Sequence, residues 1–176
     1  HDPLRRQRQM CIRDSAITSA LVACELGSEC KTNNSSIIDY LINCYIKYGF
    51  YKERLISIKK EGAKGLKEIS DIMNSLRTSG LKMIDGSKLK FIKDFESSSK
   101  QDLINGNSSK LDFPKSNVLI FEAEDGTTVA ARPSGTEPKI KFYISVNSKL
   151  ESKSDYIKMD TLLENKIERV IKEFEF

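Results

Sequence analysis

A run of eight residues, 132–139, holds the side chains best suited to chemistry in this chain, and it reads Arg-Pro-Ser-Gly-Thr-Glu-Pro-Lys. The Arg132 guanidinium stays charged at physiological pH, and its planar fork matches two oxygens of a phosphate group. Ser134 and Thr136 add hydroxyl donors. Gly135 has no Cβ, so backbone N–H groups can approach an anion closely there, and the chain can adopt dihedrals closed to other residues. These residue types together predict a phosphate-binding loop.

Two ordinary structures compete with that prediction. Ser134 followed by Glu137 fits the S-x-x-E capping box with which helices begin. The residues after the loop favour a strand instead, because apolar and polar side chains alternate from Lys139 to Val146. A loop between two strands could still be a plain hairpin connection, so spacing alone leaves phosphate binding and an ordinary turn both open.

Two lysines, Lys139 and Lys141, lie on the polar face of the strand that leaves the loop. Both would raise the positive potential near an anion bound there. Of the two, Lys139 is the better candidate for contacting the anion.

The elements around the loop predict an α+β fold, with a four-stranded, mainly antiparallel sheet and helices on one face. The four strands, and a short strand that leads into them, are expected at 88–95, 117–123, 127–131, 139–146 and 54–59. Helices at 63–76 and 155–173 carry apolar stripes at helical spacing. The segment 97–110 is rich in Ser, Asn and Lys and is expected to be a mobile loop.

Two further helical patterns precede this unit. The first is expected to stop near Gly27, and the second to run from an N-cap at Ser35 or Ser36 to Gly49. Neither has a strand of its own to cover. We therefore predict the helical tail of a truncated α/β domain followed by a complete domain, at residues 16–48 and 49–176.

Residues 1–15 differ in composition from the rest of the chain. They contain four arginines, whereas the remaining chain uses mostly lysine for its positive charge. We expect this segment to be non-native or disordered. Without its four arginines and two aspartates, the formal net charge falls from +4 to +2, which is too small to suggest nucleic-acid binding.

Composition excludes several classes of function. The only histidine in the sequence is His1, which rules out Ser-His-Asp and Cys-His nucleophilic sites, and the cysteines form no C-x-x-C pair. Glu122, Glu124 and Asp125 flank a predicted tight turn, and we interpret them as solvated turn residues rather than metal ligands. No apolar run approaches the ~20 residues that cross a bilayer. We expect a cytoplasmic protein with no metal site in this chain and neither membrane nor nucleic-acid partners.

The loop and its flanks resemble the α-D-phosphohexomutases, and within that family the bacterial phosphoglucomutase branch. The string 132–139 carries most of the resemblance, together with the strand residues 117–121 and the turn at Asp125-Gly126 that precede it. Upstream, 48–53 and 62–66 resemble the junction between the family's third and fourth domains. The similarity covers residues 16 to 176, and it implies a C-terminal fragment that contains the end of the third domain and the fourth domain.

This resemblance implies an intramolecular phosphotransferase that interconverts glucose 1-phosphate and glucose 6-phosphate through a phosphoserine and a bisphosphate intermediate. It also implies Mg²⁺ and glucose 1,6-bisphosphate as cofactors, the metal being bound by a domain that this chain lacks. The fourth domain of such enzymes clamps the substrate's phosphate. By motif position, the clamp comprises Arg132, Ser134, Gly135, Thr136 and Lys139, and no catalytic residue falls in this chain. The fragment alone is expected to be inactive, with a sugar phosphate and the enzyme's missing N-terminal domains as its partners.

Two alternatives stay open. One is another phosphosugar mutase, namely a phosphomannomutase, phosphopentomutase or phosphoglucosamine mutase, which a sugar-recognition loop further upstream would distinguish. The other is a free-standing anion-binding module, which would need a chain that naturally begins near Ala16.

Overall fold

The computed structural model describes residues 13–174, which form four α-helices, one short 3₁₀ helix and eight strands. The helices are α1 (Arg13–Thr32), α2 (Ile37–Tyr48), α3 (Gly62–Thr78) and α4 (Tyr156–Glu173), and the 3₁₀ turn Lys153–Asp155 precedes α4. The strands are β1 (Phe50–Lys59), β2 (Met83–Ile84), β3 (Ser87–Asp94), β4 (Ser99–Asp102), β5 (Asn107–Lys110), β6 (Leu119–Ala123), β7 (Thr128–Pro133) and β8 (Lys139–Ser148). The expectation for residues 1–15 concerns a segment that lies almost entirely outside the described residues.

The eight described strands form one sheet in which every pairing is antiparallel. Its order is β1-β8-β7-β6-β3-β4-β5, and β2 pairs with β3 beside this path. The α+β class is therefore confirmed, whereas the four-stranded sheet is wrong. Strands whose apolar alternation is clear in the sequence were predicted; of the additional ones, β2 has only two residues, and β4 and β5 are polar.

β1 shows how a strand can be underestimated. It was predicted as a short strand over 54–59, but it spans ten residues and pairs with β8 along its whole length. Its helix-facing side includes Lys52 and Arg54, whose side chains form ion pairs with Asp160 and Glu164 of α4. Because these inward-facing positions carry charges, the apolar alternation that predicts a strand is interrupted there.

The predicted mobile loop 97–110 is instead the hairpin β4–β5. Its turn contains the Asn105-Gly106 dipeptide, with Gly106 at φ +70°, and the Asp102 carboxylate accepts hydrogen bonds from the Ile104 and Asn105 N–H groups at 3.0 and 3.1 Å. Asn-Gly is a strong hairpin signal. The segment was misread because it forms the end of the sheet, where all four residues of the edge strand β5 are exposed and need not be apolar.

Of the two N-terminal helices, the first differs from its prediction and the second agrees with it. α1 continues through Gly27 to Thr32, so the predicted stop is wrong; a glycine within a helix costs about 1 kcal/mol relative to alanine but does not end it. The bounds of α2 are confirmed. Ser36 is its N-cap and forms a reciprocal capping box with Asp39, and Gly49 follows the helix at φ +101°.

The core lies between one face of the sheet and the helices α3 and α4. The alternate β8 residues Ile140, Phe142, Ile144 and Val146 are all at most 1% exposed, and the core cluster also contains Ile69 and Met73 of α3 with Leu163, Ile167 and Val170 of α4. Helices on a single face were predicted, and this arrangement leaves the opposite face of the sheet uncovered within the described residues.

α2 and α1 relate differently to this core. In α2, Ile42 belongs to the core cluster, and Tyr45 stacks on Phe50 at the start of β1 with ring centroids 4.3 Å apart. In α1, Ile17 and Leu21 are 65% and 66% exposed. The division of the chain at residues 48 and 49 stays a prediction. No helix in the described range is both long and apolar enough to cross a membrane.

Candidate anion-binding site

The predicted loop connects β7 and β8, two adjacent strands within the sheet. Its base is closed by the Ser134 N–H, which donates to the Lys139 carbonyl at 2.7 Å, and the Lys139 N–H donates to the Glu137 carbonyl at 2.8 Å. The Lys60 N–H donates to the Pro138 carbonyl at 2.8 Å and joins the loop to the segment after β1. The loop is therefore anchored at its base to the sheet and to the chain beyond the edge strand.

The capping pattern at Ser134 exists, but no helix follows it. The Ser134 Oγ accepts long hydrogen bonds from the N–H groups of Thr136 and Glu137, at 3.4 and 3.3 Å, and the chain then enters β8. The helix-start alternative is wrong. Because Oγ is the acceptor in both contacts, its own O–H proton can still be donated to an anion.

An open cleft of about 190 Å³ lies against the loop on the uncovered face of the sheet. It is lined by Arg132, Pro133, Ser134, Gly135, Lys139, Lys141 and Tyr143. Four of the five predicted residues thus lie together, while Thr136 is not among the lining residues. The volume equals roughly six water molecules and is below the ~300 Å³ of typical small-molecule pockets, so it suits a single anionic group.

Sequence reasoning did not assign Lys141 and Tyr143 to the site, although the signal was present. Both follow Lys139 at period two along β8, and that spacing places all three side chains on one face of the strand. A strand that begins in a binding loop carries its alternate residues along the wall of the same cleft.

The cleft carries an excess of positive charge, because two of its three cations have no carboxylate partner within the described residues. Of the four arginine side chains described, at positions 54, 77, 132 and 169, three form ion pairs with carboxylates, and Arg132 forms none. Lys141 also has no ion pair or hydrogen bond from its side chain within the described residues. Lys139 has only Glu137, at 3.5 Å. An anion in this cleft would meet guanidinium and ammonium groups that have no strong competitor.

Gly135 serves the cleft by leaving space. Its φ lies outside the left-handed region, so the expected unusual dihedrals are not used here. A Cβ added at Gly135 would meet no atom within 4 Å. The backbone therefore does not require glycine, and the empty space beside it is available to a ligand.

Two of the three acidic residues near the β6–β7 turn form ion pairs with lysines. Glu122 forms an ion pair with Lys93, and Asp125 forms one with Lys166 at 2.6 Å. Burial opposes ionisation of Asp125, but hydrogen bonds from Lys166 and Thr127 outweigh it and lower the pKa of this carboxyl. Across the described residues, no group of three or more His, Cys, Asp and Glu side chains could hold a metal.

Comparison of this chain with known proteins indicates the family to which it is related. The chain is 36% identical over 136 residues to a phosphoglucomutase of Staphylococcus aureus strain MRSA252, a match that covers 77% of the chain. The chain is homologous to part of the bacterial phosphoglucomutases. It spans about a quarter (24%) of the length of that relative. The resemblance read from the loop and its flanks is thereby confirmed.

Other comparisons agree or add little. A phosphoglucomutase of Staphylococcus saprophyticus is 36% identical over 114 residues, covering 65% of the chain and 20% of the relative. No family model matches. The solved structure of pp63/parafusin, a phosphoglucomutase from Paramecium in its open form, aligns with 80% of the chain and 25% of its own, at 13% identity and a TM-score of 0.42.

Proposed function

We propose that this chain is the substrate-phosphate-binding part of a phosphoglucomutase, which interconverts glucose 1-phosphate and glucose 6-phosphate through a phosphoserine and a bisphosphate intermediate. The observation that carries the proposal is the cleft beside residues 132–139, where Arg132 lacks the carboxylate partner that the other described arginines have. The homology to phosphoglucomutases supplies the substrate class.

The side chains suit a phosphate monoester, which is mostly dianionic at neutral pH because its second pKa is about 6. Arg132 can offer two parallel N–H donors, while Ser134 adds its hydroxyl proton and Lys139 an ammonium group. Thr136, although it does not line the cleft, carries a backbone N–H and a hydroxyl within the same loop. Binding the phosphate here fixes the distal end of the sugar and so orients the hydroxyl that reacts elsewhere.

Release is as important as binding in the proposed reaction, since the bisphosphate must turn around between its two phosphate transfers. The cleft is open, and the weak 3.5 Å contact of Glu137 with Lys139 supplies an internal anion that can replace the departing phosphate. We therefore propose that Glu137 contacts Lys139 and braces the loop, and that it does not contact the ligand.

We place the chemical step in a part of the polypeptide outside this chain. Mg²⁺ and glucose 1,6-bisphosphate are the proposed cofactors, and the metal would offset the charge of the transferred phosphate. The described residues provide no carboxylate cluster for it. We therefore propose a larger cytoplasmic enzyme, and we expect the 176-residue chain by itself to bind phosphate but not to catalyse.

The experiment has two parts. Glucose 1-phosphate is titrated into the isotopically labelled 176-residue chain, and the amide signals of Ser134, Gly135 and Thr136 are followed. We expect these signals to move at millimolar ligand. If they stay still while distant amides move, the phosphate site is elsewhere.

The second part uses the protein encoded by the complete gene. With Mg²⁺ and glucose 1,6-bisphosphate, it is expected to convert glucose 1-phosphate with a higher kcat/KM than mannose, ribose or glucosamine phosphates, and the 176-residue chain is expected to show no turnover. Preference for another sugar phosphate would identify a different phosphosugar mutase. A gene whose reading frame begins near Ala16 and whose product only binds phosphate would identify a free-standing module.

A further inference from the structure

The free edge of β1 is a long strand edge that no other described strand covers. β1 is last in the order of the sheet, spans ten residues, contains no proline and pairs with β8 without a register shift. Edge strands are usually protected from further pairing by short length, proline, bulges or inward-pointing charges. The inward-pointing charges of β1, Lys52 and Arg54, are already paired with carboxylates of α4, so they do not oppose the addition of a strand.

Alternate residues of β1 direct their backbone groups toward this free edge. In an antiparallel ladder, the N–H and C=O of one residue point to the same neighbouring strand, and those of the next residue point away from it. The Lys60 N–H donates to the Pro138 carbonyl in the register that pairs β1 with β8, so the even-numbered residues bond to β8. The odd-numbered residues present their backbone groups to the free edge, and all of them are exposed. They are Tyr51, Glu53, Leu55, Ser57 and Lys59.

Two of these edge residues carry opposite charges, and neither forms an ion pair with a described residue. They are Glu53 and Lys59, and Lys59 lies opposite a like charge, Lys139, in the pairing with β8. When a second β1 is placed antiparallel along the free edge, one register puts Glu53 of each copy opposite Lys59 of the other. The same register puts Leu55 opposite Ser57, and a shift of two residues in either direction breaks both opposite-charge pairs.

We propose that the free edge of β1 is a dimerisation surface, on which β1 of a second copy of this chain pairs antiparallel in that register. Each copy supplies the same residues, so the contact is closed by a two-fold axis and forms dimers rather than filaments. Leu55, which is 51% exposed, lies diagonal to Leu55 of the second copy, within reach for long side chains. This inference does not depend on the proposed phosphate binding.

Exchange of the two charges tests the register. Glu53→Lys or Lys59→Glu places like charges opposite each other at both symmetric positions, so each variant should dimerise roughly tenfold more weakly than the wild type. The double variant, Glu53→Lys with Lys59→Glu, restores opposite charges and should recover the dissociation constant of the wild type. The matched control is Lys110→Glu, which makes the same change of charge on β5 at the far edge of the sheet and should leave dimerisation unchanged.

Sedimentation equilibrium of the 176-residue chain, over a concentration series that reaches the millimolar range, measures the dissociation constant. Amide hydrogen exchange at both ends of the same series reports whether the backbone is paired. We expect a monomer–dimer equilibrium, and slower exchange at high concentration for the N–H groups of Leu55 and Ser57, which point to the free edge. The Ile56 N–H points to β8 and should change less.

A monomer at every concentration would overturn the proposal. A dimer in which the Leu55 and Ser57 amides exchange as they do in the monomer would also overturn it, because the copies would then meet through another surface. Slow exchange of both amides in a monomer would show that a segment of the same chain covers the edge, which again overturns it. If the double variant does not recover dimerisation, the register fails and the proposal fails with it. Should a single-charge variant not fold, sedimentation and exchange of the wild type still decide.

Discussion

At the scale of single residues, Arg132 is the side chain on which the proposed function depends most. Its guanidinium has no carboxylate partner, unlike those of Arg54, Arg77 and Arg169. In the full-length enzyme, Arg132→Ala should lower kcat/KM by roughly tenfold to a thousandfold, since hydrogen bonds to charged groups contribute about 1.5–3 kcal/mol each. Steady-state kinetics with glucose 1-phosphate measure this change.

The control for that prediction is the thermal stability of the variant, which shows whether it still folds. Arg132 is exposed, so Arg132→Ala should leave the melting temperature of the chain unchanged. Arg132→Lys should recover only part of the activity, because a point charge cannot reproduce the planar fork. Full activity in Arg132→Ala would show that the clamp lies elsewhere.

Two glycines, one at each end of β7, test whether space or backbone conformation matters at a given turn. Gly135→Ala should leave stability nearly unchanged, because a Cβ there meets nothing within 4 Å, but it should weaken phosphate binding by occupying the cleft. Gly126→Ala is the matched comparison. Gly126 has φ +84°, and its Cβ would come within 2.4 Å of the Asn147 Nδ2, so this variant should lose about 1–2 kcal/mol of unfolding free energy.

Denaturant unfolding and phosphate titration of both variants measure the two effects. A large stability loss in Gly135→Ala would contradict the interpretation of Gly135 as a spacer. An unchanged phosphate affinity in the same variant would show that the space beside it is not used by the ligand.

Most residues that line the cleft could be predicted from their types. Contacts that depend on how neighbouring strands pair could not. Arg132, Ser134, Gly135 and Lys139 were predicted from one local string, and the structure places all four around one cleft. That Lys141 lies opposite Arg132 in the cleft follows from the pairing of β7 with β8. A sequence shows which side chains share a strand face, but it does not show which residue of the next strand they oppose.

At the scale of elements, Arg77 of α3 joins the helix to the end of β3. Its Nε lies 3.2 Å from the Asp94 Oδ2, and both side chains are less than one-fifth exposed. Burial opposes ionisation of Asp94, but hydrogen bonds from the Glu96 N–H, from Arg77 and from Ser97 outweigh it, and they hold the pKa of Asp94 below its usual value.

A carboxyl whose pKa is lower in the folded state stabilises the fold above its unfolded pKa of about 3.9, and this contribution is lost as pH falls through the folded pKa. Asp94→Asn should therefore lower the unfolding free energy by about 1–3 kcal/mol near neutral pH. The difference from the wild type should shrink as the pH falls below the unfolded pKa of about 3.9. Urea unfolding at several pH values measures it.

Asp112→Asn serves as the control, because Asp112 is exposed and forms no ion pair with any described residue. Its unfolding free energy should follow the wild type at every pH. If the gap between Asp94→Asn and the wild type were constant with pH, the carboxylate charge would not be the source of the stabilisation.

Elements with clear apolar periodicity were predicted well, and polar ones were not. The strands β3, β6, β7 and β8 and the helices α3 and α4 all bury alternate or helically spaced apolar residues in one core. β4 and β5 bury almost none, and their pairing depends on the turn at Asn105-Gly106. β1 owes part of its position to ion pairs with α4, which no pattern within β1 itself could indicate.

At the scale of the whole molecule, truncation tests the predicted boundary at residue 49. A chain that begins at Asn34 loses α1, whose large apolar side chains are mostly exposed, and should keep nearly the full melting temperature. A chain that begins at Gly49 also loses Ile42 and the Tyr45 ring that stacks on Phe50. It should still fold but be about 3–5 kcal/mol less stable, which lowers the melting temperature by roughly 10 °C.

Calorimetry and amide spectra of the two truncated chains provide the measurement. If the chain from Gly49 does not fold, α2 belongs to the same folding unit as the sheet and the predicted boundary is wrong. If the chain from Asn34 is already much less stable, α1 contributes more to the core than its exposure indicates.

The pairing of β1 with β8 also has a consequence for synthesis on the ribosome. β1 leaves the exit tunnel before β8 is made, and β8, its only strand partner among the described strands, follows it by about 80 residues. At 5–20 residues per second, roughly 4–16 s pass before β8 is made. During that interval the backbone N–H and C=O groups of β1 that β8 will bind are unpaired, and Ile56 and Ile58 have no sheet to pack against. Nascent chains arrested before residue 139 should therefore recruit chaperones, and chains released after residue 173, which contain both β8 and the core residues of α4, should not.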